Sequence, residues 1–349
     1  MTHSRREFIK TAAATATLTT LPVAEALAVT PRQAITPEQI VALFDHLPGD
    51  KAFKILAPAA NGNPKFQAQL NSDEMLFVAS TVKTFVLCEA LRQIDSPDIV
   101  ERLSKKELEL DSSVWSFGSP TFNPPNVKGT VFERATLEAM ITSSDNTATD
   151  MIFKLAGADN VRKFISEAGL TRTLVPDSTR AFAAYLIGAD NYKTISWEEL
   201  LKEFIPADPD GDPKKFVHPF LNDVQSLASS ADDFVSYYSR ALRGQFFQHP
   251  ETLNEFRRIL TLCDFIYLVP LPLGVGVYAK SGNADTKRFH ARAIAGGLFF
   301  SGQWIFFSFI INWYADVADD PTTVDKFFSA INRALTLVMN SVSESCESP

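Results

Sequence analysis

The chain has little cysteine and histidine, and it has no excess of positive charge. Its 349 residues include 3 Cys and 5 His, which form no CxxC or HExxH motif, so the sequence predicts no metal site and no redox-active cysteine pair. Lys and Arg total 33 against 41 for Asp and Glu, a net charge of −8, which argues against a general nucleic-acid binder. We therefore expect no cofactor, no metal and no nucleic-acid partner.

The overall composition excludes several other classes of protein. Hydrophobic residues make up 46% of the chain and charged residues 21%, with 15 Gly and 20 Pro, so wholesale disorder, collagen and a disulfide-rich miniprotein are excluded. A chain of this length folds without disulfides, and the odd number of cysteines (Cys88, Cys263 and Cys346) leaves at least one thiol free. The 28 Phe stand out, and we expect them in the core and in cleft walls.

The N-terminus predicts export. Arg5 and Arg6 precede a mildly apolar stretch, residues 11–23, and small residues then follow over 24–28 in the spacing that signal peptidases cut. This order resembles a twin-arginine signal peptide over residues 1–28, so we expect a periplasmic or secreted bacterial protein. The alternative is an amphipathic N-terminal helix with a chance arginine pair.

One long apolar run covers Gly296–Ala315 and has about the length of a membrane-spanning helix. Ser301-Gly302-Gln303 places a turn signal in the middle of this run, and β-branched and aromatic residues lie on both sides of the turn. We favour two buried antiparallel strands over a membrane span, and we expect no span once the signal peptide is removed.

Strand-like segments occur near both ends of the mature chain. Strands are predicted at 52–58, 66–70, 274–280, 289–300 and 304–314, and helices include 36–47, 80–94 and 322–339. Strands at both ends with helices between them predict one sheet built from both termini, with a helical lobe inserted in the middle.

Three short motifs occur in order along the chain: Ser80-Thr81-Val82-Lys83, Ser144-Asp145-Asn146 and Lys280-Ser281-Gly282. At average composition, their joint occurrence in this order is an accident of roughly one in a hundred or rarer. Their surroundings agree, because the first motif opens a predicted buried helix, the second follows a helical run and the third ends an apolar strand.

The first motif has the residue types that nucleophilic catalysis requires. A serine hydroxyl is a weak nucleophile at neutral pH and needs a neighbouring base. On a helix, Ser80 and Lys83 project from one face, one turn apart. A second cation at Lys280 favours the neutral, basic form of Lys83, and the N-terminus of the helix supplies a backbone N–H that can polarise a carbonyl.

This constellation resembles class A β-lactamases and the penicillin-binding proteins related to them. The resemblance implies an α+β fold, with a five-stranded antiparallel sheet flanked by helices and an inserted all-α lobe. It divides one domain, residues 36–345, into a sheet lobe (about 36–90 and 226–345) and a helical lobe (about 91–225). The implied function is that of a serine hydrolase acting through a Ser80 acyl-enzyme on a β-lactam or a related carboxylate-bearing amide or ester.

The resemblance also implies roles for the catalytic residues. The backbone N–H groups of Ser80 and Asn283 would form the oxyanion hole. Ser144 would pass a proton to the leaving nitrogen or oxygen. Asn146 would hydrogen-bond Lys83 and the amide of the substrate.

The implied partner is a small-molecule substrate that carries a carboxylate. Lys280 and Ser281 would present a positive charge and a hydroxyl to this group. Arg292, ten residues after Gly282 on the next predicted strand, matches the position at which many family members carry an arginine that also binds the carboxylate. The alternative for a lone arginine on a strand is a surface ion pair.

The sequence departs from the family at the residue that activates water for deacylation. The loop glutamate of class A enzymes falls at Thr179, and the asparagine that helps to hold the water falls at Ala183. A positioned general base contributes about 10²–10⁴-fold, so the acylation machinery is retained while efficient hydrolysis of the acyl-enzyme is left open. Whether Asp177 or Glu199 replaces the missing base is also left open.

Residues of about 183–222 look like an extra insertion relative to a compact class A enzyme. Its aromatic content suits a cap over the cleft, and a peripheral excursion is the alternative. Three other functions compete with the β-lactam hydrolase: a binding or sensor protein that β-lactams acylate with negligible turnover, an esterase or peptidase of the same fold, and an exported structural protein whose motifs are relics.

Overall fold

A five-stranded antiparallel sheet forms the centre of the fold. The computed structural model describes residues 35–59, 64–203, 216–263, 269 and 274–344, so the predicted signal peptide and Cys346 lie outside the described residues. The strands are β1 (Asp50–Pro58), β2 (Pro64–Leu70), β3 (Leu76–Phe77), β4 (Glu107–Leu110), β5 (Gly129–Phe132), β6 (Ala228–Ser229), β7 (Gly276–Asp285), β8 (Phe289–Phe300) and β9 (Gln303–Tyr314). The helices are α1 (Pro37–Val41), α2 (Lys83–Gln93), α3 (Ile99–Lys105), α4 (Glu133–Thr142), α5 (Asn146–Ala156), α6 (Ala158–Glu167), α7 (Thr179–Leu186), α8 (Trp197–Glu203), α9 (Ala231–Ala241), α10 (Pro250–Leu260) and α11 (Pro321–Glu344).

The main sheet has the strand order β2-β1-β9-β8-β7, and each neighbouring pair is antiparallel. Two strands from the start of the chain therefore join three from its end, as the sequence predicts. The apolar run at 296–315 forms most of the β8–β9 hairpin, whose turn residues Ser301 and Gly302 have φ of 48° and 76°. Positive φ at both positions is typical of the type I′ turn, which matches the twist of a hairpin. No helix among the described residues is long and apolar enough to cross a membrane.

Apolar side chains form a separate core on each face of the sheet. One face packs against α1 and α11, and there Phe44, Phe53 and Phe309 lie with their ring centroids 4.7–5.8 Å apart. The other face packs against α9 and the helical lobe, whose core includes Cys88 and Cys263 as buried free thiols. Burying one phenylalanine side chain is worth about 1.5–3 kcal/mol, so the phenylalanine-rich composition supplies much of the core.

The helical lobe surrounds α2, in which every residue from Lys83 to Leu91 is buried. Helices α4, α5, α6 and α10 pack against it. The lobe predicted to be all-α is mainly helical, but it also holds a short antiparallel sheet of β4 and β5. In β4 two glutamates alternate with Leu108 and Leu110, and this period of two residues is typical of a strand with one buried face.

Candidate active site

Ser80 lies in a short 3₁₀ turn, Ala79–Val82, that leads directly into α2. Ala79 has a φ of 48°, a left-handed conformation that costs a residue with a Cβ about 1–3 kcal/mol. Ser80 is half-buried, whereas the other residues of the turn are buried. The strained turn therefore presents Ser80 at the N-terminal end of a buried helix.

Gly282 allows strand β7 to pack directly against this turn. A Cβ atom at position 282 would lie 2.3 Å from the Val78 carbonyl oxygen and 2.8 Å from the backbone nitrogens of Ser80 and Thr81. Such distances are too short for any side chain, so only glycine permits this approach. The third motif thus meets the first through backbone contact.

The Lys83 side chain joins the first motif to the second. Its Nζ donates to the carbonyl oxygen of Ser144 at 2.5 Å and to Asn146 Oδ1 at 2.7 Å, and it lies 3.2 Å from Ser144 Oγ. Ser144 has a φ of 55°, a second left-handed residue at the site. The structure therefore brings Lys83, Ser144 and Asn146 together beside the turn that carries Ser80.

Burial controls the charge of Lys83. The side chain is 1% exposed, and this burial lowers the pKa of Lys83 well below its usual value. The charge of Lys280 lowers the pKa further, while Asp145 and Asp150 act in the opposite direction. A neutral amine at this position can accept a proton from a hydroxyl, which is the property that the sequence predicts.

The loop around Gly118 holds the second motif in place. Asn146 Nδ2 donates to the Phe117 carbonyl oxygen at 2.7 Å, and a Cβ at Gly118, where φ is 71°, would lie only 2.8 Å from the same nitrogen. The buried Asp145 carboxylate accepts hydrogen bonds from the backbone N–H groups of Ala148, Thr121 and Phe122. Asp145 thus caps α5 and ties it to the neighbouring loop.

A cleft of about 230 Å³ opens beside Ser80, and Asn146, Thr179 and Asn283 also line it. Five phenylalanine rings from separate segments of the chain form much of its apolar lining: Phe77, Phe117, Phe182, Phe216 and Phe220. The Phe77 ring lies 5.8 Å from that of Phe182 and 5.2 Å from that of Phe220, measured between centroids. This wall favours apolar or aromatic groups next to the reactive serine.

The predicted insertion contributes to the cleft rather than lying entirely at the periphery. Phe216 and Phe220 belong to it, and Phe220 also stacks on Phe289 at 4.8 Å. A second part packs around Trp197 of α8, whose ring lies 5.0 Å from that of the cleft residue Phe117. Residues 204–215, in the middle of the insertion, lie outside the described part of the chain.

Thr179 lies in the cleft at the start of α7, but its polar groups bind a buried carboxylate behind it. Its N–H and its hydroxyl donate to Asp150 Oδ1 at 2.6 and 2.8 Å, and the Arg180 N–H donates to Oδ2 at 3.0 Å. Burial raises the pKa of Asp150 to about 6. Sequence reasoning missed Asp150, although its position four residues after Asn146 places both on one face of a helix.

Asp177 and Glu199, the two carboxylates considered as replacements for the base, do not line the cleft as the structure describes it. Asp177 bonds to Arg162 at 2.8 Å and to Gln225 at 2.8 Å. Burial acts to raise the pKa of Asp177, but these hydrogen bonds and the charges of Arg162 and Lys193 together outweigh it and keep the pKa below its usual value. Glu199 accepts hydrogen bonds from the backbone and the hydroxyl of Ser196, which lower its pKa.

The residues predicted to bind a substrate carboxylate are mostly buried. Lys280 is 0% exposed and its Nζ donates to the carbonyl oxygen of Ser281 at 2.8 Å, while Ser281 lies beside Cys263. Asn283 is exposed and lines the cleft. Arg292 forms an ion pair with Asp285, a residue that sequence reasoning did not single out. No group of three or more metal-ligating side chains occurs among the described residues.

Comparison with known proteins gives one family and many similar structures. Residues 38–297 match the model of the β-lactamase enzyme family. The fold is similar to that of a β-lactamase from Chitinophaga pinensis (TM-score 0.65, 15% identity, covering 87% of this chain and 98% of that one). It is also similar to that of a class A β-lactamase representative from Bacteroides cellulosilyticus (TM-score 0.64, 17% identity, covering 89% of this chain and 99% of that one). The structure of PBP-A is similar as well (TM-score 0.60, 17% identity, covering 89% of this chain and 95% of that one). No curated protein sequence matches the chain.

Proposed function

Because the chain belongs to the β-lactamase enzyme family and is a serine hydrolase of that type, we propose that it forms an acyl-enzyme at Ser80 and that hydrolysis of this intermediate is the slow step. One observation carries the proposal. The buried Lys83 amine bonds to both Ser144 and Asn146, and the charge of Lys280 helps to lower its pKa.

In the proposed acylation step, Ser80 Oγ attacks the carbonyl carbon of the substrate and its proton passes to the neutral Lys83 Nζ. The N–H groups of Ser80 and Asn283 stabilise the negative charge that develops on the carbonyl oxygen. Ser144 then relays the proton from Lys83 to the leaving nitrogen or oxygen as the C–N or C–O bond breaks. The proton lost by the serine thus ends on the leaving group.

The proposal that the acyl-enzyme is hydrolysed slowly is supported by the state of the acidic side chains around the cleft, which are already bound to other residues. The Asp150 carboxylate is occupied by hydrogen bonds from Thr179 and Arg180. Among the described residues that line the cleft, Asp285 is the one acidic side chain, and it is paired with Arg292. A water molecule at the acyl-enzyme therefore finds a threonine hydroxyl where a general base would be needed.

The proposed substrate is a β-lactam, or a related amide or ester, with an apolar or aromatic acyl group that suits the phenylalanine-lined walls. The binding of a substrate carboxylate by Lys280, Ser281 and Arg292 stays a prediction from the sequence. Export through residues 1–28 to the periplasm or the medium is likewise part of the proposal, since the family resemblance and the twin-arginine pattern both favour it.

A mass measurement of the full chain after incubation with benzylpenicillin tests the proposal. We expect one covalent adduct that forms quickly and disappears slowly, and none in Ser80→Ala. An adduct that never decays would instead favour the second candidate, a β-lactam-acylated binding or sensor protein, which Thr179 also supports. Hydrolysis of simple esters without a penicillin adduct would favour an esterase. Absence of both would contradict acylation at Ser80.

A further inference from the structure

We propose that Asp285 makes the cleft indifferent to a substrate carboxylate, so that Ser80 is acylated as readily by neutral esters and amides as by their carboxylate-bearing counterparts. This inference rests on the acylation of Ser80 proposed above and adds the substrate class. It identifies Asp285 as a residue that determines specificity.

Asp285 and Arg292 lie on the neighbouring strands β7 and β8 and form a two-point ion pair. Arg292 Nη1 donates to Asp285 Oδ1 at 2.8 Å, and Nη2 donates to Oδ2 at 2.9 Å. Nη1 also donates to the carbonyl oxygen of Ala291 at 2.9 Å, and His290 Nδ1 lies 3.0 Å from Asp285 Oδ1. Both terminal nitrogens of the guanidinium group are therefore already engaged within the protein.

The two partners of this ion pair differ in their access to the cleft. The Asp285 side chain is 27% exposed and lines the cleft, whereas the Arg292 side chain is 8% exposed and is not among the lining residues. Ser281, the hydroxyl predicted to bind the carboxylate, is 1% exposed. A group that enters this part of the cleft meets the oxygens of Asp285 before it can reach the guanidinium group.

This arrangement removes the advantage that a carboxylate would gain from Arg292. Asp285 would repel a substrate carboxylate, and Arg292 behind it would attract that carboxylate to a similar extent, because the two opposite charges of the ion pair lie side by side. If the substrate displaced Asp285, one bidentate pair would be exchanged for another and Asp285 would lose both of its bonds to Arg292. A neutral group at the same place meets neither the repulsion nor the attraction, so the two kinds of substrate should react at similar rates.

Benzylpenicillin and its methyl ester form a matched pair of probes, since they share the lactam and the acyl group and differ in the carboxylate alone. The second-order rate of Ser80 acylation is measured for each by mass spectrometry. We expect an acid-to-ester rate ratio within about threefold of one in the wild type. Asp285→Asn releases Arg292, and the ratio should rise about tenfold, the effect of one charged hydrogen bond.

Asp316→Asn is the control, because it removes the same charge from an exposed position that pairs with Arg288. It should leave the ratio unchanged. The double variant Asp285→Asn with Arg292→Gln removes both charges of the ion pair. It replaces the single variant Asp285→Asn in the measurement if circular dichroism shows that the single variant folds poorly. Its ratio should return to that of the wild type.

A wild-type ratio far above one that falls in the double variant would show that Arg292 already binds the carboxylate, and it would overturn the inference. An unchanged ratio in a folded Asp285→Asn protein would overturn it too. In both cases acylation of Ser80 itself would stand. Failure of both probes to acylate the wild type would overturn the proposed function together with the inference.

Discussion

Replacing Thr179 with glutamate should restore water activation fully only if Asp150 is replaced as well. Thr179 Oγ1 lies 2.8 Å from Asp150 Oδ1, so a carboxylate at position 179 would lie roughly 4–6 Å from a second buried carboxylate. At an effective dielectric constant of about 20, two charges about 6 Å apart repel by about 3 kcal/mol, or about two pKa units. The Asp150 pKa is already raised to about 6 by burial. In Thr179→Glu alone, the two carboxyls would therefore share one proton near neutral pH.

The assay is the decay of the benzylpenicillin adduct at Ser80, followed by mass spectrometry at pH 6, 7 and 8. In the double variant Thr179→Glu with Asp150→Asn, the new carboxylate has no charged neighbour at Asp150 and can act as a general base. We expect its adduct to decay about 10²–10⁴-fold faster than that of the wild type at pH 7. Thr179→Glu alone should approach this rate only as the pH rises towards 8.

The double variant Thr179→Gln with Asp150→Asn is the matched control, because glutamine has the size of glutamate without its basicity. Its adduct should decay at about the wild-type rate. If the glutamate and glutamine variants decay equally slowly while both remain folded, a missing general base is not what limits turnover, and the reasoning is refuted.

Three further predictions concern charge and packing. Lys280→Gln removes a positive charge that lowers the pKa of Lys83, so the pH profile of acylation should move to higher pH, and an unshifted profile would contradict the electrostatic role of Lys280. Asp150 has a pKa of about 6 when folded against about 4 when unfolded, so the folded state binds the proton more tightly and stability falls as the pH rises from about 4 to 6. Urea unfolding at pH 4 and pH 7 should show a loss about 2 kcal/mol larger in the wild type than in Asp150→Asn, and equal losses would contradict the raised pKa. Phe309→Ala should lower the free energy of unfolding by about 3–5 kcal/mol, because Phe309 is fully buried between two rings, whereas Phe299→Ala at a position that is 39% exposed should cost much less.

The sequence alone predicts the parts of the site that depend on local geometry. The spacing of Ser80 and Lys83 places both at the start of one helix, and the Ser301-Gly302 turn signal identifies the β8–β9 hairpin inside a run that hydropathy alone would read as a membrane span. Such features are visible because a turn or a helix face is set by residues within a few positions of each other. The resemblance of the motifs also predicts the family and the five-stranded sheet, and both predictions are confirmed.

Only the tertiary structure determines which side chains form ion pairs, hydrogen bonds and ring contacts with one another. The pairing of Asp285 with Arg292 depends on the register of β7 against β8, and a shift by one residue would turn these side chains to opposite faces of the sheet. The bonds from Thr179 to Asp150 join the start of helix α7 to helix α5, 29 residues earlier in the chain. The aromatic wall of the cleft combines rings from segments between Phe77 and Phe220. Contacts of this kind follow from how whole elements pack, which no local pattern of residues encodes. The reactive groups can therefore be predicted from the sequence motifs, whereas the charge that faces the substrate depends on how the strands and helices pack around the site.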